Sequence, residues 1–194
     1  MTHPDYLSSI RKQFLYYKML GDKTLARVPE TSLTWQYNPE SNSIAVIVKH
    51  LWGNMLSRWT DFLTSDGEKP WREREAEFDN DLLTRERVLA HWEAGWACLF
   101  NAIDSLTPDD LTRVIYIRNE GHSVLEALNR QLAHYPYHVG QIVMLGKMIL
   151  DAEWESLSIP RGGTQAYNEA KFTQPRHKAH FTDTLLRETP EDQG

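Results

Sequence analysis

The chain has 194 residues and a formal net charge of -6, with 27 acidic and 21 basic side chains scattered along it. This balance excludes the basic surface that neutralises nucleic-acid phosphates, and the longest apolar runs are too short to span a bilayer. Because the N-terminus lacks a secretion signal and Cys98 has no partner for a disulfide, we expect one cytoplasmic domain over residues 1–194. Cys98 lies in an apolar segment and is expected to be a buried, inert thiol.

Apolar residues recur every three or four positions in two stretches of the N-terminal half, which predicts two amphipathic helices. The first helix ends near or a little beyond Gly21. A connection rich in turn residues follows, and the second helix is capped by Asn42 or Ser43 and runs to about Thr64. The polar residues 65–81 then predict a long loop, of the kind that is often functional or mobile.

Two more helices are predicted further along the chain. Residues 89–103 carry an apolar stripe with helical spacing. Residues 112–118 are rich in β-branched side chains and are expected to form an extended connection without a sheet. Ser123 and Glu126 have the spacing of a capping box, which predicts that the fourth helix begins there.

Loop signals dominate the remainder of the chain. The run Pro160-Arg-Gly-Gly163 is typical of a turn, so residues 151–194 are predicted to be a C-terminal loop region and tail, loose and acidic over 188–194. The predicted fold class is therefore all-α: a four-helix bundle with long connecting loops and an irregular C-terminal segment.

A pair of histidines is the main chemical signal. His134 and His138 are four residues apart in the fourth helix, so both imidazoles lie on one face, a turn apart. His50, at the edge of the apolar stripe of the second helix, would meet them if the two helices face each other. Three imidazoles suit one divalent transition metal, such as zinc, nickel, iron or copper, and leave a coordination position open for water or substrate.

Pro136 lies between the two histidines and leaves two possibilities open. Proline removes a backbone hydrogen bond and disfavours helical geometry in the residue before it. In one possibility the helix is kinked and the pair survives. In the other the helix is broken and His134 points away.

Other residues are candidates for orienting a ligand or a substrate. Gln131 and Gln141 lie on the same helix face as the pair, and Asn54 follows His50 by about one turn. Arg161 is a candidate for binding a substrate carboxylate if its turn folds over the site. The remaining histidines are weaker candidates because they are terminal, off the apolar stripe, beside a helix cap or near the tail: His3, His91, His122, His177 and His180.

Three segments together resemble the DinB-like family, also called YfiT-like: Asn42-Ser-Ile-Ala-Val-Ile-Val-Lys-His50-Leu-Trp-Gly-Asn54, Asp66-Gly-Glu-Lys-Pro-Trp71 and His134-x-x-Tyr-His138-x-Gly-Gln141. The resemblance covers roughly residues 5–168. It implies a four-helix bundle, often a homodimer, with one metal ion held by His50, His134 and His138. Some members of that family transfer a low-molecular-weight thiol to a small electrophile, which implies the same class of reaction here.

Three functions stay open at this point. The first is a metal-dependent enzyme that activates a thiol, like an S-transferase, or water, like a hydrolase. No acidic residue shares the helix face of His134 and His138 as a general base, which favours thiol activation. The others are a non-catalytic, metal-stabilised helical dimer and a small-molecule-binding protein. The expected partners are a second copy of the chain, a low-molecular-weight thiol and a small electrophile, with no nucleic acid and no membrane.

Overall fold

A computed structural model of the chain describes residues 6–187. Its α-helices are α1 (Tyr6–Arg27), α2 (Ile44–Trp59), α3 (Arg85–Asp104), α4 (Val124–Leu150), α5 (Thr164–Phe172) and α6 (Asp183–Arg187), and its strands are β1 (Val114–Ile117) and β2 (Glu120–Ser123). Short 3-10 helices lie between them at Glu30–Ser32, Glu75–Phe78, Pro108–Thr112 and Asp151–Glu153. The predicted tail at 188–194 and His3 lie outside the described residues.

The four long helices form the predicted bundle, which confirms the all-α fold class. Helix α2 packs mainly on α3, α1 packs mainly on α4, and α2 also contacts α4. The side chains of Phe14, Trp96 and Tyr135 meet in the core and are inaccessible to solvent, with ring centroids 5.9 to 6.4 Å apart. Burial of each such ring stabilises the fold by about 1.5–3 kcal/mol, so these contacts hold α1, α3 and α4 together.

Side-chain caps begin α2 and α4 where the sequence predicts. The hydroxyl of Ser43 accepts a hydrogen bond from the backbone N–H of Val46 at 3.1 Å. At the start of α4, Ser123 Oγ accepts from the N–H of Glu126 at 3.2 Å, and the Glu126 carboxylate accepts from the N–H of Ser123 at 2.7 Å. Both caps satisfy amides that have no partner within the helix, so they define the first turn of each helix.

Helix α2 ends at Trp59, earlier than the apolar spacing predicts. Thr60 adopts an extended conformation, and Asp61 has a left-handed backbone with φ of 48°. The carbonyl of Asp61 then accepts hydrogen bonds from the N–H groups of Thr64 and Ser65. The chain therefore turns immediately after α2 and enters the long loop, although Phe62 still packs in the core.

Residues 114–123 form a β-hairpin. The extended conformation predicted for this region is confirmed, but the expectation that no sheet follows is wrong, because β1 pairs with β2 in antiparallel register with Ile115 opposite His122. Arg118 and Asn119 form the two-residue turn with φ of 58° and 62°. Glycine is common at such positions, and β2 has no β-branched residue, so the usual sequence signals of a hairpin are missing.

The segment after α4 contains two short helices, α5 and α6, within the region predicted as loop. Helix α6 packs against α1, where Asp183 accepts a hydrogen bond from Lys12 at 2.6 Å and His180 contacts Ser9 at 3.2 Å. Within residues 6–187, no helix combines the length and the apolar character needed to cross a membrane.

Candidate metal centre

Three histidines from two helices meet at one end of the α2–α4 contact. His50 comes from α2, and His134 and His138 come from α4. Nε2 of His134 lies 3.4 Å from Nε2 of His50 and 3.1 Å from Nε2 of His138, and one nitrogen of each ring lies within 4.8 Å of the others. Nitrogens that share a tetrahedral zinc ion at 2.0–2.1 Å lie about 3.3 Å apart, so two of the three separations match those of metal ligands.

The α4 helix continues through Pro136, so the pair of histidines is preserved. Tyr135, the residue before the proline, is fully buried; its hydroxyl donates to Asn54 Oδ1 at 3.1 Å and accepts from Trp59 Nε1 at 3.0 Å. A proline inside a helix costs about 3 kcal/mol, and these buried contacts with α2 offset that cost on the core side of the helix. Of the two possibilities left open by the sequence, the broken helix is excluded.

The outer nitrogen of each ring faces an oxygen atom. Nδ1 of His50 lies 2.9 Å from Glu77 Oε2, Nδ1 of His134 lies 3.2 Å from Gln131 Oε1, and Nδ1 of His138 lies 2.7 Å from Gln141 Oε1. An oxygen acceptor requires that Nδ1 carry the proton, so Nε2 of a neutral ring keeps its lone pair. With all three rings in that state, their Nε2 lone pairs would converge on one point, which is the arrangement that binds a cation.

Burial keeps the paired imidazoles of α4 neutral. Burial, followed by the neighbouring His138, His50 and Arg130, lowers the pKa of His134 to about 3. Burial also lowers the pKa of His138, and the charge of His50 adds to that effect, against the hydrogen bond to Gln141, which raises it. Neutral imidazole is the form that coordinates metal, so these two rings are ready to bind at neutral pH.

Glu77 is a buried carboxylate that no pattern in the sequence predicts. It lies in the short helix Glu75–Phe78 within the predicted loop and is 4% exposed. Arg72 donates to its two oxygens at 2.7 and 3.0 Å. Burial alone would raise the pKa of Glu77, but the hydrogen bonds from His50 and Arg72 outweigh it and lower that pKa, so the carboxylate is ionised.

Gly53 makes room for this carboxylate on the surface of α2. A Cβ atom at Gly53 would overlap the side chain of Glu77, so only glycine allows the loop to approach there. Phe78, the next residue, stacks on the ring of His50 with a centroid distance of 5.6 Å. The loop over residues 65–81 thus closes one side of the site. No spacing in that polar segment distinguishes Glu77 from its solvated neighbours, which is why it was missed.

The other predicted site residues differ in how they lie relative to the three histidines. Gln131 and Gln141 contact the two histidines of α4, as described above. Asn54 lies beside the site and bonds to Tyr135 rather than to a histidine. Arg161 is exposed in the segment between α4 and α5 and does not line the cavity beside the histidines. Its predicted role in substrate binding stays a prediction.

A cavity of about 440 Å³ adjoins the three histidines. Its size falls in the range of pockets that hold small molecules. Besides His50, His134 and His138 it is lined by Asn54, Gln131, Phe78 and the arginines Arg58, Arg72, Arg74, Arg118 and Arg130. The imidazole nitrogens are therefore reachable from a space lined mainly by polar and basic groups.

A larger cavity of about 600 Å³ lies elsewhere, beside Cys98. Cys98 is half-buried, and burial raises the pKa of its thiol. Its sulfur contacts Thr60 Oγ1 at 3.7 Å and the carbonyl of Met55 at 3.8 Å. A thiol with a raised pKa is a poor nucleophile, which agrees with the predicted inert role, although the side chain is less buried than expected.

The remaining histidines of residues 6–187 lie apart from the three-histidine group. His91 is half-buried against Trp52, and His122 is half-buried in β2. His180 bonds to Thr182, and His177 is exposed. Within the described part of the chain, His50, His134 and His138 are the one group of three or more histidine, cysteine or acidic residues placed to hold a metal ion.

Comparison with known families gives one match. A family described as a protein of unknown function (DUF1572) matches residues 2–163, which is most of the chain and contains all three histidines. No curated protein matches the chain.

Proposed function

We infer the function of this chain from its site, because the chain belongs to the DUF1572 family, whose description assigns no function. We propose that it is a metal-dependent enzyme in which His50, His134 and His138 hold one divalent transition metal, such as zinc, nickel or iron. The observation that carries the proposal is the convergence of the Nε2 atoms of three histidines beside a cavity. The sequence resemblance to the DinB-like family supports the same ligand set.

Thiol activation is the reaction that the site supports best. A bound metal would supply positive charge that lowers the pKa of a thiol or water. Water activation also needs a general base, and none of the described residues lining the cavity is acidic. Glu77 lies behind His50, where its oxygens bond to that ring and to Arg72. We therefore propose that a thiol loses its proton to solvent and that its sulfur displaces a leaving group from a small electrophile.

The cavity favours this proposal over a purely structural metal site. Structural zinc sites have four protein ligands, whereas catalytic sites keep a position open. Here three histidines converge, and the adjoining cavity has the size of a small molecule. A metal that only tied α2 to α4 would need neither the cavity nor its polar lining.

Two measurements test the proposal. Elemental analysis of protein purified without a histidine tag should find about one equivalent of metal, which His138→Ala should lose. Conjugation of several cellular thiols to a reactive electrophile should then be faster with the metal-loaded parent than with His50→Ala. Less than about a tenth of an equivalent of metal in the parent, or equal conjugation rates for parent and variant, would contradict the proposed function.

A further inference from the structure

Basic side chains are concentrated around the metal centre of an acidic chain. The chain as a whole has a formal charge of -6, yet Arg58, Arg72, Arg74, Arg118 and Arg130, here called the arginine cluster, all line the cavity beside the histidines. They come from α2, the long loop, the hairpin turn and α4. Among residues 6–187, no acidic side chain lines that cavity.

Carboxylates outside the cavity neutralise only part of the cluster. Glu77 pairs with Arg72. A single carboxylate, that of Glu68, pairs with both Arg58 and Arg118, at 3.5 and 3.0 Å. The Asp66 carboxylate is also near enough to Arg58 for that charge to lower the pKa of Asp66. The five arginines of the cluster therefore face four carboxylates, those of Glu68, Asp66, Glu75 and Glu77.

Arg74 and Arg130 have less counter-charge than the other members of the arginine cluster. Arg74 bonds at 3.1 Å to Glu75, whose side chain is 90% exposed, so solvent screens that pair. The side chain of Arg130 has no hydrogen-bond or ion-pair partner within residues 6–187. It lies on α4 one turn before His134, and both residues line the same cavity. Its guanidinium group is therefore free to bind a ligand.

The side chain of Arg58 and the backbone of Arg118 are held in place before any ligand binds. The Arg58 side chain is 6% exposed; it donates to Ser57 Oγ at 3.0 Å and to the carbonyl of Gly67. The backbone N–H of Arg118 donates to Asp66 Oδ1 at 2.8 Å, which fixes the hairpin turn over the site. Burial, followed by the neighbouring charge of Arg72, lowers the pKa of Arg58, and the Glu68 carboxylate acts against that effect.

We propose that the arginine cluster binds an oxyanion group of the substrate, a carboxylate or a phosphoryl group, and thereby places the substrate's reacting atom at the three histidines. Guanidinium groups bind both kinds of anion through paired N–H donors. The inference rests on the proposed function, because the metal centre supplies the chemistry and the arginine cluster supplies the selection of substrate.

Calorimetric titration of zinc-loaded protein tests the proposal with inorganic phosphate, succinate and succinamide as probes. Succinamide has the shape of succinate without its charge. At least one of the two anions should bind about tenfold more tightly than succinamide, and the preferred anion distinguishes a phosphoryl group from a carboxylate. Arg130→Gln and Arg118→Gln should each weaken binding of that anion about tenfold, as expected for loss of one charge-assisted pair.

Lys147→Gln is the matched control. Lys147 is exposed on α4, like Arg130, but lies 17 positions further along, about 25 Å away. The Lys147→Gln substitution removes one positive charge from α4, as Arg130→Gln does, and should leave the affinity for the anion unchanged. Equal affinities for succinate, phosphate and succinamide would overturn the proposal, as would equal effects of Arg130→Gln and Lys147→Gln.

Metal content measured on the same samples separates this proposal from the proposed function. Binding that is lost in His138→Ala and unaffected by Arg130→Gln would mean that the anion binds the metal alone, which overturns the inference and leaves the metal site standing. Protein that takes up no metal but binds an anion through Arg130 would contradict the proposed function and support the anion site.

Discussion

Glu77 Oε2 lies 2.9 Å from Nδ1 of His50, so a carboxylate from a connecting loop orients a histidine of α2. The same carboxylate accepts two hydrogen bonds from Arg72. A negative charge behind a ligating imidazole fixes its tautomer and raises the electron density on the metal-binding nitrogen. The loop over residues 65–81 is thus part of the candidate metal centre.

Glu77→Gln should weaken metal binding about 10–100-fold, because the amide keeps the shape of the side chain but removes the charge behind His50. Competition with a chromophoric chelator measures the affinity. Glu75→Gln is the control, since Glu75 lies in the same short helix with a side chain that is 90% exposed. Equal affinities for the two variants would show that Glu77 has no influence on the metal.

Metal should stabilise the parent protein against heat and should not stabilise His134→Ala. A ligand that binds only the folded state stabilises it by about 2.7 kcal/mol at a hundred times its Kd, which corresponds to a Tm increase of about 5–10 °C for a chain of this size. Differential scanning fluorimetry with and without zinc measures the shift. His177→Ala, which removes an exposed histidine outside the group, should respond like the parent. A similar shift for His134→Ala would place the metal elsewhere.

Gly53→Ala should destabilise the fold by about 1–2 kcal/mol, because the added methyl group would overlap Glu77 and force the loop away from α2. Denaturant unfolding measures the loss, and metal affinity should fall with it. Gly140→Ala is the contrasting case: a methyl group there meets no heavy atom within 4 Å, so the better helix propensity of alanine should stabilise α4 by about 0.5–1 kcal/mol. A stable Gly53→Ala protein with unchanged metal affinity would contradict the role given to this glycine.

The contact between the Asp66 carboxylate and the turn of the β-hairpin should stabilise the fold to an extent that depends on pH. Burial alone would raise its pKa, but hydrogen bonds from the backbone N–H groups of Asn119, Glu68 and Arg118 lower it below the ordinary value of 3.8. A carboxyl with a lowered pKa stabilises the fold fully above its unfolded-state value, and that contribution disappears as the pH falls through the folded-state value.

Asp66→Asn should therefore reduce Tm by about 2–4 °C at pH 7 and by progressively less as the pH falls below 3.8. Thermal scans of parent and variant across the acid range measure the difference. Asp109→Asn, at an exposed position of the 3-10 helix before β1, should show little change at any pH. A Tm difference for Asp66→Asn that is independent of pH would rule out the charge as its source.

The bundle and its histidine pair were predictable because both depend on local, periodic features. The 3.6-residue repeat of apolar residues identifies helices, and the caps at Ser43 and Ser123 identify where α2 and α4 begin. The hairpin was not predictable in the same way. Its turn at Arg118 and Asn119 uses left-handed residues without glycine, and Asp66, distant in sequence, anchors both of their backbone N–H groups.

By itself, the sequence determined the four helices and the spacing of His134 and His138, because helix geometry relates neighbours along the chain. Only the tertiary structure decided that His50 meets that pair, that α4 continues through Pro136, and that Glu77 and the arginine cluster surround the site. These relationships join segments far apart in sequence. They depend on how α2 packs against α4 and how the loop folds onto α2, for which no periodic pattern exists in a single chain.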